Sequence, residues 1–337
     1  MYHAPIRSTT KRAEHLHIPP SPAARANFAP EFGRRFVVFV DTEEEFDWGA
    51  PFDRKARAVG HIAALPEANR RFVERGVAPT YLVDYPVADD RKSADALRAI
   101  AAAGECDIGA HLHPWVNPPH DEEVNAANSF VGTLPAELER AKLLALTAKL
   151  AEAFGTQPIA YRAGRYGVGA NTAAILAEAG YRLDVSVRAL FDYRDQGGPD
   201  FTDYPIDPYR LRDDLLEVPL TTCLAGPLRR WPGLTRFARL RGPLARFGLL
   251  NRIPLTPEGV PLDEAGTAIE TLLARGTRLF SLSFHSPSLV PGHTPYVRDE
   301  ADLRRFWAWW DGVFNLFARH GIEPVRPGEI VAAATEA

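Results

Sequence analysis

The chain has 337 residues, 46% hydrophobic and 24% charged, with a formal net charge of −4 at pH 7. That composition is ordinary for a soluble globular protein and offers no basic excess that would make nucleic acid the expected partner. Two cysteines without CxxC spacing, Cys106 and Cys223, exclude a disulfide framework, and no apolar run approaches the ~20 residues that span a bilayer.

Residues 1–33 are rich in proline (Pro5, Pro19, Pro20, Pro22, Pro30) and read as a flexible or draped N-terminal arm. The positively charged start has no apolar h-region, so a secretory signal is not expected. The expectation is a cytoplasmic protein, peripheral at the inner membrane at most. From residue 34 to 337 short apolar runs alternate with helical patterns, as one domain with an Arg-rich insertion at about 225–260. Phe36–Val40 reads as a buried parallel strand, and Pro66–Arg75 as a helix stopped by Gly76. Thr80–Val83 is the next strand and Ser93–Ala103 the next helix. Cys106–Leu112 is strand-like, and Pro135–Phe154 is a helix with Leu138, Ala141, Ala145 and Ala148 along one face. Ile159–Arg162 is a strand and Asn171–Ala179 a helix; Tyr181–Val187 and Leu215–Val218 are further strands. A helix over Asp263–Arg275, a strand over Leu279–Phe284 and a helix over Asp302–His320 close the series. The pattern predicts an α/β fold, a distorted parallel (β/α) barrel of about seven strands.

Chemistry in such folds gathers at the C-terminal ends of strands. Asp41 and Glu43, His111 and His113, Arg162 and Arg165, and His285 all stand at such ends. Asp41-Thr42-Glu43 and His111-Leu112-His113 share i, i+2 spacing, which turns both side chains of each pair to one side of an extended segment. If these strand ends are neighbours, two carboxylates and two imidazoles converge. Two histidines plus a carboxylate make an open catalytic zinc site, and the second carboxylate is then free to act as general base. Glu44 and Glu45 are expected to face solvent. Trp48, Trp115, Tyr166 and Tyr296 are aromatic groups near the site that could stack on sugar rings.

The ordered segments VFVDTEEE, APTYLVD, CDIGAHLHPW, YRAGRYGVGANTAAILAEAGY and FSLSFHSPSL resemble the polysaccharide deacetylase family, carbohydrate esterase family 4, which carries the NodB-homology domain. The likeness spans roughly residues 35–290. The DTEEEFDW, HLHPW and FHSPSL variants look most like the WalW-type branch linked to lipopolysaccharide biosynthesis. This resemblance implies hydrolytic deacetylation of an acetylated carbohydrate with a divalent metal, usually Zn2+. It places Asp41 as catalytic base, Glu43 and His111 as metal ligands, Arg162 as the partner of the base and His285 as general acid. Arg165 competes for the role of Arg162 and otherwise joins Trp48, Trp115 and Tyr166 in substrate binding. The family's second histidine lies four residues after the first, where this chain has Trp115, so His113 is the expected substitute. The acid that tunes the family's catalytic histidine has no evident counterpart, and Asp184 is the candidate. His293 is expected to be structural or to line the rim.

Leu228–Arg252 holds seven arginines and no acidic residue, interleaved with Trp231, Phe237 and Phe247. It reads either as a solvated hairpin or as a peripheral membrane or glycolipid contact. Two other functions compete with the deacetylase: a metal-free or metal-dependent hydrolase of small amides, and a catalytically retired sugar-binding barrel.

Overall fold

Alternation along single strands decides which side chains face the centre of this molecule. The computed structural model describes residues 15–335 apart from 48, 213, 232, 234–241 and 245. Its strands are β1 (Asn27–Phe28), β2 (Arg34–Thr42), β3 (Thr80–Val83), β4 (Asp107–Leu112), β5 (Ala160–Ala163), β6 (Leu183–Asp184), β7 (Tyr209–Arg212), β8 (Leu215–Glu217), β9 (Thr222–Ala225), β10 (Asn251–Pro254), β11 (Leu279–His285), β12 (Ile322–Pro324) and β13 (Ala334–Thr335). The main sheet runs β11-β2-β3-β4-β5-β6-β8-β7, with β12 also beside β2. All its pairings are parallel except β7 with β8. The fold is an α/β, distorted parallel barrel, and the seven strands expected from the sequence are the seven that lead from β11 to β8.

Two separate apolar clusters follow from the period of two. Val37, Phe39, Leu82, Ala160, Leu183, Leu216 and Leu279 pack together inside the curled sheet. Their chain neighbours Phe36, Val38, Val40, Tyr81 and Tyr161, with Ala110 and Leu112 of β4, join the larger cluster under the helices. Asp41 continues the inward column of Val37 and Phe39, and the carboxylate therefore caps the barrel interior. Register does the rest: His285 is opposite Asp41, and His111 is opposite Arg162.

The sheet does not pair directly from β8 back to β11. A strip of irregular chain fills the seam, with Thr221 N donating to Ser281 O at 3.1 Å, Leu255 N to Thr221 O at 2.9 Å and Ser283 N to Leu255 O at 3.3 Å. β9 and β10 leave this strip as an antiparallel hairpin whose loop carries the arginine-rich stretch. Residues 232, 234–241 and 245 of this stretch lie outside the described residues; within it Trp231 and Phe247 are exposed. At the other end of the chain, Leu16 is buried with its carbonyl accepting from Tyr204 Oη at 2.7 Å, and β1 pairs with β13. Among the described residues no helix is long and apolar enough to cross a membrane.

Helices cover the outer face at Leu65–Val73, Arg91–Ala102, Ala136–Phe154, Thr172–Glu178, Leu262–Arg275 and Glu300–Arg319, close to the predicted ranges. One helical face differs from expectation. The buried stripe of Ala136–Phe154 is Glu139, Lys142, Leu143, Leu146, Leu150 and Ala153, while Leu138, Ala141 and Ala145 are half-buried and Ala148 is exposed. The reason is Lys142, whose Nζ donates to the carbonyls of Pro114, Asn117 and Pro119 at 2.9, 2.7 and 2.6 Å and lies 2.9 Å from Glu122 Oε2. A buried charge so fully satisfied turns the helix about its axis and anchors the loop after β4 that carries His113. Replacing it by a methionine leaves Glu122 and three carbonyls without their donor. Lys142→Met is expected to destabilise the protein by about 3–5 kcal/mol, read from the urea midpoint at unchanged slope.

Candidate active site

Five strand ends deliver the polar residues to one cavity of about 350 Å³, lined among others by Asp41, Glu43, His111, His113, Arg162 and His285. Asp41 and Arg162 form the floor. Arg162 Nη1 lies 2.5 Å from Asp41 Oδ1 and donates to Ser283 Oγ at 2.5 Å, while Nε donates to the carbonyl of Val185 at 3.0 Å. Burial pushes the Asp41 carboxyl up, but Arg162, His111 and His285 together outweigh it and hold the group below the usual carboxylate range. The expected pairing of Arg162 with the base is what the structure has. Arg165 takes no part in it and lines the cavity wall instead.

Glu43, His111 and His113 converge beside this pair. Glu43 Oε2 lies 3.1 Å from His111 Nε2 and 3.4 Å from His113 Nε2. The far nitrogens are held from behind: His111 Nδ1 donates to the Arg162 carbonyl at 3.2 Å, and His113 Nδ1 is 2.8 Å from Glu44 Oε2. Since a carbonyl only accepts, His111 carries its proton on Nδ1, and its Nε2 lone pair faces the Glu43 carboxylate. Burial lowers both imidazoles, His113 to about 4, so they are neutral near pH 7. Burial raises the Glu43 carboxyl above its ordinary range, and two acceptors 3.1 Å apart in a buried site call for a proton or a cation between them. Glu43 Oε1 is also buried with no hydrogen-bond partner. Three ligand atoms within 4.8 Å of one another, with Nδ1 of both rings engaged from behind, fit a divalent metal.

Glu44, Asp84 and His113 form a second cluster of metal-ligand type. Most of its atoms are already engaged, Glu44 Oε1 apart: Asp84 accepts from Val87 N at 2.8 Å and from Glu44 N at 2.7 Å, and Glu44 Oε2 holds the His113 ring. Burial, and then the charge of Glu44, raises Asp84 well above the carboxylate range; burial, with the charge of Glu43 added and the hydrogen bond with Asp84 opposing, raises Glu44 to about 7. These two support the ligands from behind.

Several expectations are corrected here. Glu44 is fully buried, and Glu45 is half-buried, accepting from His61 N at 2.7 Å. Both are drawn in because the chain after β2 folds back against His61 and Ser286. Trp115 is no sugar platform. It is 2% exposed and lies face to face behind His113, with ring centroids 4.3 Å apart. Gly164 makes room on the other side, since a Cβ there would stand 2.2 Å from His113 Cδ2. Asp184 bonds Ser186 Oγ at 2.5 Å and adjoins Glu217, away from His285. Tyr166 does line the cavity, as does Tyr296, whereas His293 is not among its lining residues and lies 3.5 Å from Glu45 Oε2. Trp48 lies outside the described residues.

The acid beside His285 is Glu258, in the turn after β10. Its Oε2 is 2.6 Å from His285 Nδ1, and its Oε1 accepts from His285 N at 3.1 Å and from Ser288 Oγ at 2.6 Å. His285 Nε2 is left 3.7 Å from Asp41 Oδ2. Burial would lower the imidazole, but the carboxylates of Glu258, Glu43 and Asp41 overcome it and raise the ring to about 10. Glu258 has no sequence periodicity to mark it; only its Pro-Glu-Gly turn after an apolar run hints at a strand-end acid.

No protein-family model matches this chain, and no curated protein matches it. Solved structures do. The chain is similar to a probable polysaccharide deacetylase from Pseudomonas aeruginosa PAO1, at 18% identity and TM-score 0.50, over 93% of each chain. It is also similar to the Puue allantoinase, at 17% identity and TM-score 0.52, over 96% of each chain. The likeness is one of fold. Both structures share the distorted barrel described above.

A folded pKa above the ordinary 6.5 means that His285 adds stability in full below about pH 6.5, lost as pH rises through about 10. Glu258→Gln removes the first of the three charges that raise it. An NMR titration of the His285 ring is expected to show its pKa falling toward 6.5 in that variant.

Proposed function

We propose that this protein is a metal-dependent hydrolase of the polysaccharide deacetylase family that removes an acetyl group from a sugar. The observation that carries the reading is the meeting of Glu43, His111 and His113 with two differently tuned acid–base groups, Asp41 and His285, in one cavity. A divalent metal, zinc by donor type, would be held by Glu43, His111 and His113, and supplies Lewis acidity that acidifies water and polarises the acyl carbonyl. Asp41, kept ionised by Arg162, accepts the proton of the water that attacks the carbonyl carbon. His285, kept protonated by Glu258, donates its proton to the departing nitrogen or oxygen as the acyl bond breaks. The products are acetate and the free amine or hydroxyl. A retired sugar-binding barrel has no need for an ionised base and a protonated acid across one cavity.

The WalW-like motif variants extend the proposal to a cell-envelope glycan or glycolipid precursor, handled in the cytoplasm. The exposed Trp231 and Phe247 beside the arginines of 228–252 support a peripheral membrane contact there. Liposome co-sedimentation tests it, and binding that survives deletion of 228–252 removes that part of the proposal.

Mass-spectrometric metal analysis beside an acetate-release assay separates the roles of the two carboxylates. Asp41→Asn is expected to keep its metal and lose about 10²–10⁴-fold in turnover. Glu43→Gln and His113→Ala are expected to lose both metal and turnover. Metal lost from Asp41→Asn and kept in Glu43→Gln would exchange the two assignments. No metal in the wild type after reconstitution would favour hydrolysis of small amides without one.

A further inference from the structure

Beyond the acid–base groups, the same cavity is lined by two arginines that have no carboxylate partner. Arg165 and Arg188 follow β5 and β6. Among the described residues, neither guanidinium lies within ion-pair distance of an acid. Arg165 donates to neutral oxygens, Ser129 Oγ and, at 2.6 Å, Gln196 Oε1. It stacks 4.0 Å above the centroid of Phe130. Arg188 donates to Tyr193 Oη at 3.1 Å, lies 4.1 Å from the centroid of Phe191, and has its Nε buried with no partner. Each guanidinium has five N–H donors, and most of these are free to meet a ligand.

The backbone at this wall is strained in keeping with a binding role. Arg165, Tyr166 and Leu190, with φ of 56°, 60° and 73°, are the non-glycine residues in the left-handed region among those described. All three stand at, or within two residues of, these arginines. Partly buried guanidinium groups held flat by aromatic rings are preorganised to receive oxyanions, and desolvating two of them without an anion is unfavourable. The third arginine of the cavity, Arg162, is already neutralised by Asp41.

We propose that the substrate carries an oxyanionic group, a phosphate or a carboxylate, bound by Arg165 and Arg188 while its acyl group faces Asp41 and His285. The placement of the acyl group rests on the deacetylase reading; the anion subsite stands without it. A cavity of about 350 Å³ has room for one sugar ring with one such group.

Isothermal titration calorimetry on the His285→Gln protein, which removes turnover from the measured heat and keeps the Asp41–Arg162 pair intact, compares three probes. These are N-acetylglucosamine, N-acetylglucosamine phosphate and N-acetylmuramic acid, so that the phosphate and carboxylate arms are separated. At least one anionic probe is expected to bind about tenfold or more tighter than the neutral sugar, with affinity falling as salt rises. Adding Arg165→Gln or Arg188→Gln is expected to cost that probe about tenfold while leaving the neutral sugar unchanged, and lysine at either position to restore part of the loss. Equal binding of neutral and anionic probes, no binding of either anion, or equal losses for all probes in the arginine variants overturns the proposal. The probe series and its salt dependence need no arginine variant, so a variant that misfolds leaves the result decided. Tight anion binding with no acetate released by wild-type enzyme would instead sink the deacetylase reading and leave the subsite standing.

Discussion

Placing a carboxylate at the top of a barrel interior makes demands on everything around it. Asp41 is the third inward residue of a strand whose other inward positions are Val37 and Phe39, and an ion desolvated there is unfavourable unless paired and hydrogen-bonded. Arg162 meets the demand from β5, across the barrel. Its guanidinium also reaches Ser283 on β11 and the carbonyl of Val185 after β6, so one side chain ties together four strand ends. Its own carbonyl then fixes the tautomer of His111. The ion pair thereby sets both the charge of Asp41 and the orientation of the His111 ring. Behind it, burial raises the carboxyls of Asp184 and Glu217, and the charge of Asp184 raises Glu217 further.

Chemically similar side chains acquire opposite states from their surroundings. Asp41 is held ionised by an arginine, whereas Asp84 and Glu44, buried side by side, are pushed the other way. His113 is driven down to about 4 by burial, whereas the carboxylates around His285 raise it to about 10. One imidazole is thus suited to offering a lone pair and the other to giving up a proton. The folds of the chain that create these environments are the loops after β2 and β10 more than the sheet itself.

Residues whose positions depend on strand period were legible in the sequence. The i, i+2 spacing turned Asp41 and Glu43, then His111 and His113, to a common side, and the charged residues ending apolar runs marked Arg162 and His285. Arg188 bears the same mark, ending the strand reading Tyr181–Val187, but its importance lies in lacking a carboxylate partner, which only the packed structure reveals. Glu258 was not legible because it reaches His285 from a turn across the seam. That seam is closed by Thr221 and Leu255 through hydrogen bonds with no periodic pattern. The burial of Glu44 and the face of the helix that Lys142 turns inward escaped the sequence for a common reason: a charged residue predicts exposure until the carbonyls, carboxylates or imidazoles that satisfy it are known.

On the deacetylase reading, Trp115 stands where the family resembled has a histidine, and His113 would take over that ligand position. In the family resembled, the second histidine stands four residues after the first, beyond the strand. Here the second imidazole comes from the strand end itself, two residues on, where the pleat returns the side chain to the face of His111. A ring so close to the sheet needs clearance, and Gly164 provides it; any side chain there would meet His113. It also needs a fixed plane, and Trp115, turned inward by the same loop, supplies a stacked surface with an interplanar angle of 22°. Glu44 then fixes the rotation of the ring through Nδ1. The tryptophan in the histidine's usual place therefore serves the residue that replaced it. Three separate supports around His113 are hard to account for in a barrel that has given up its ligand site.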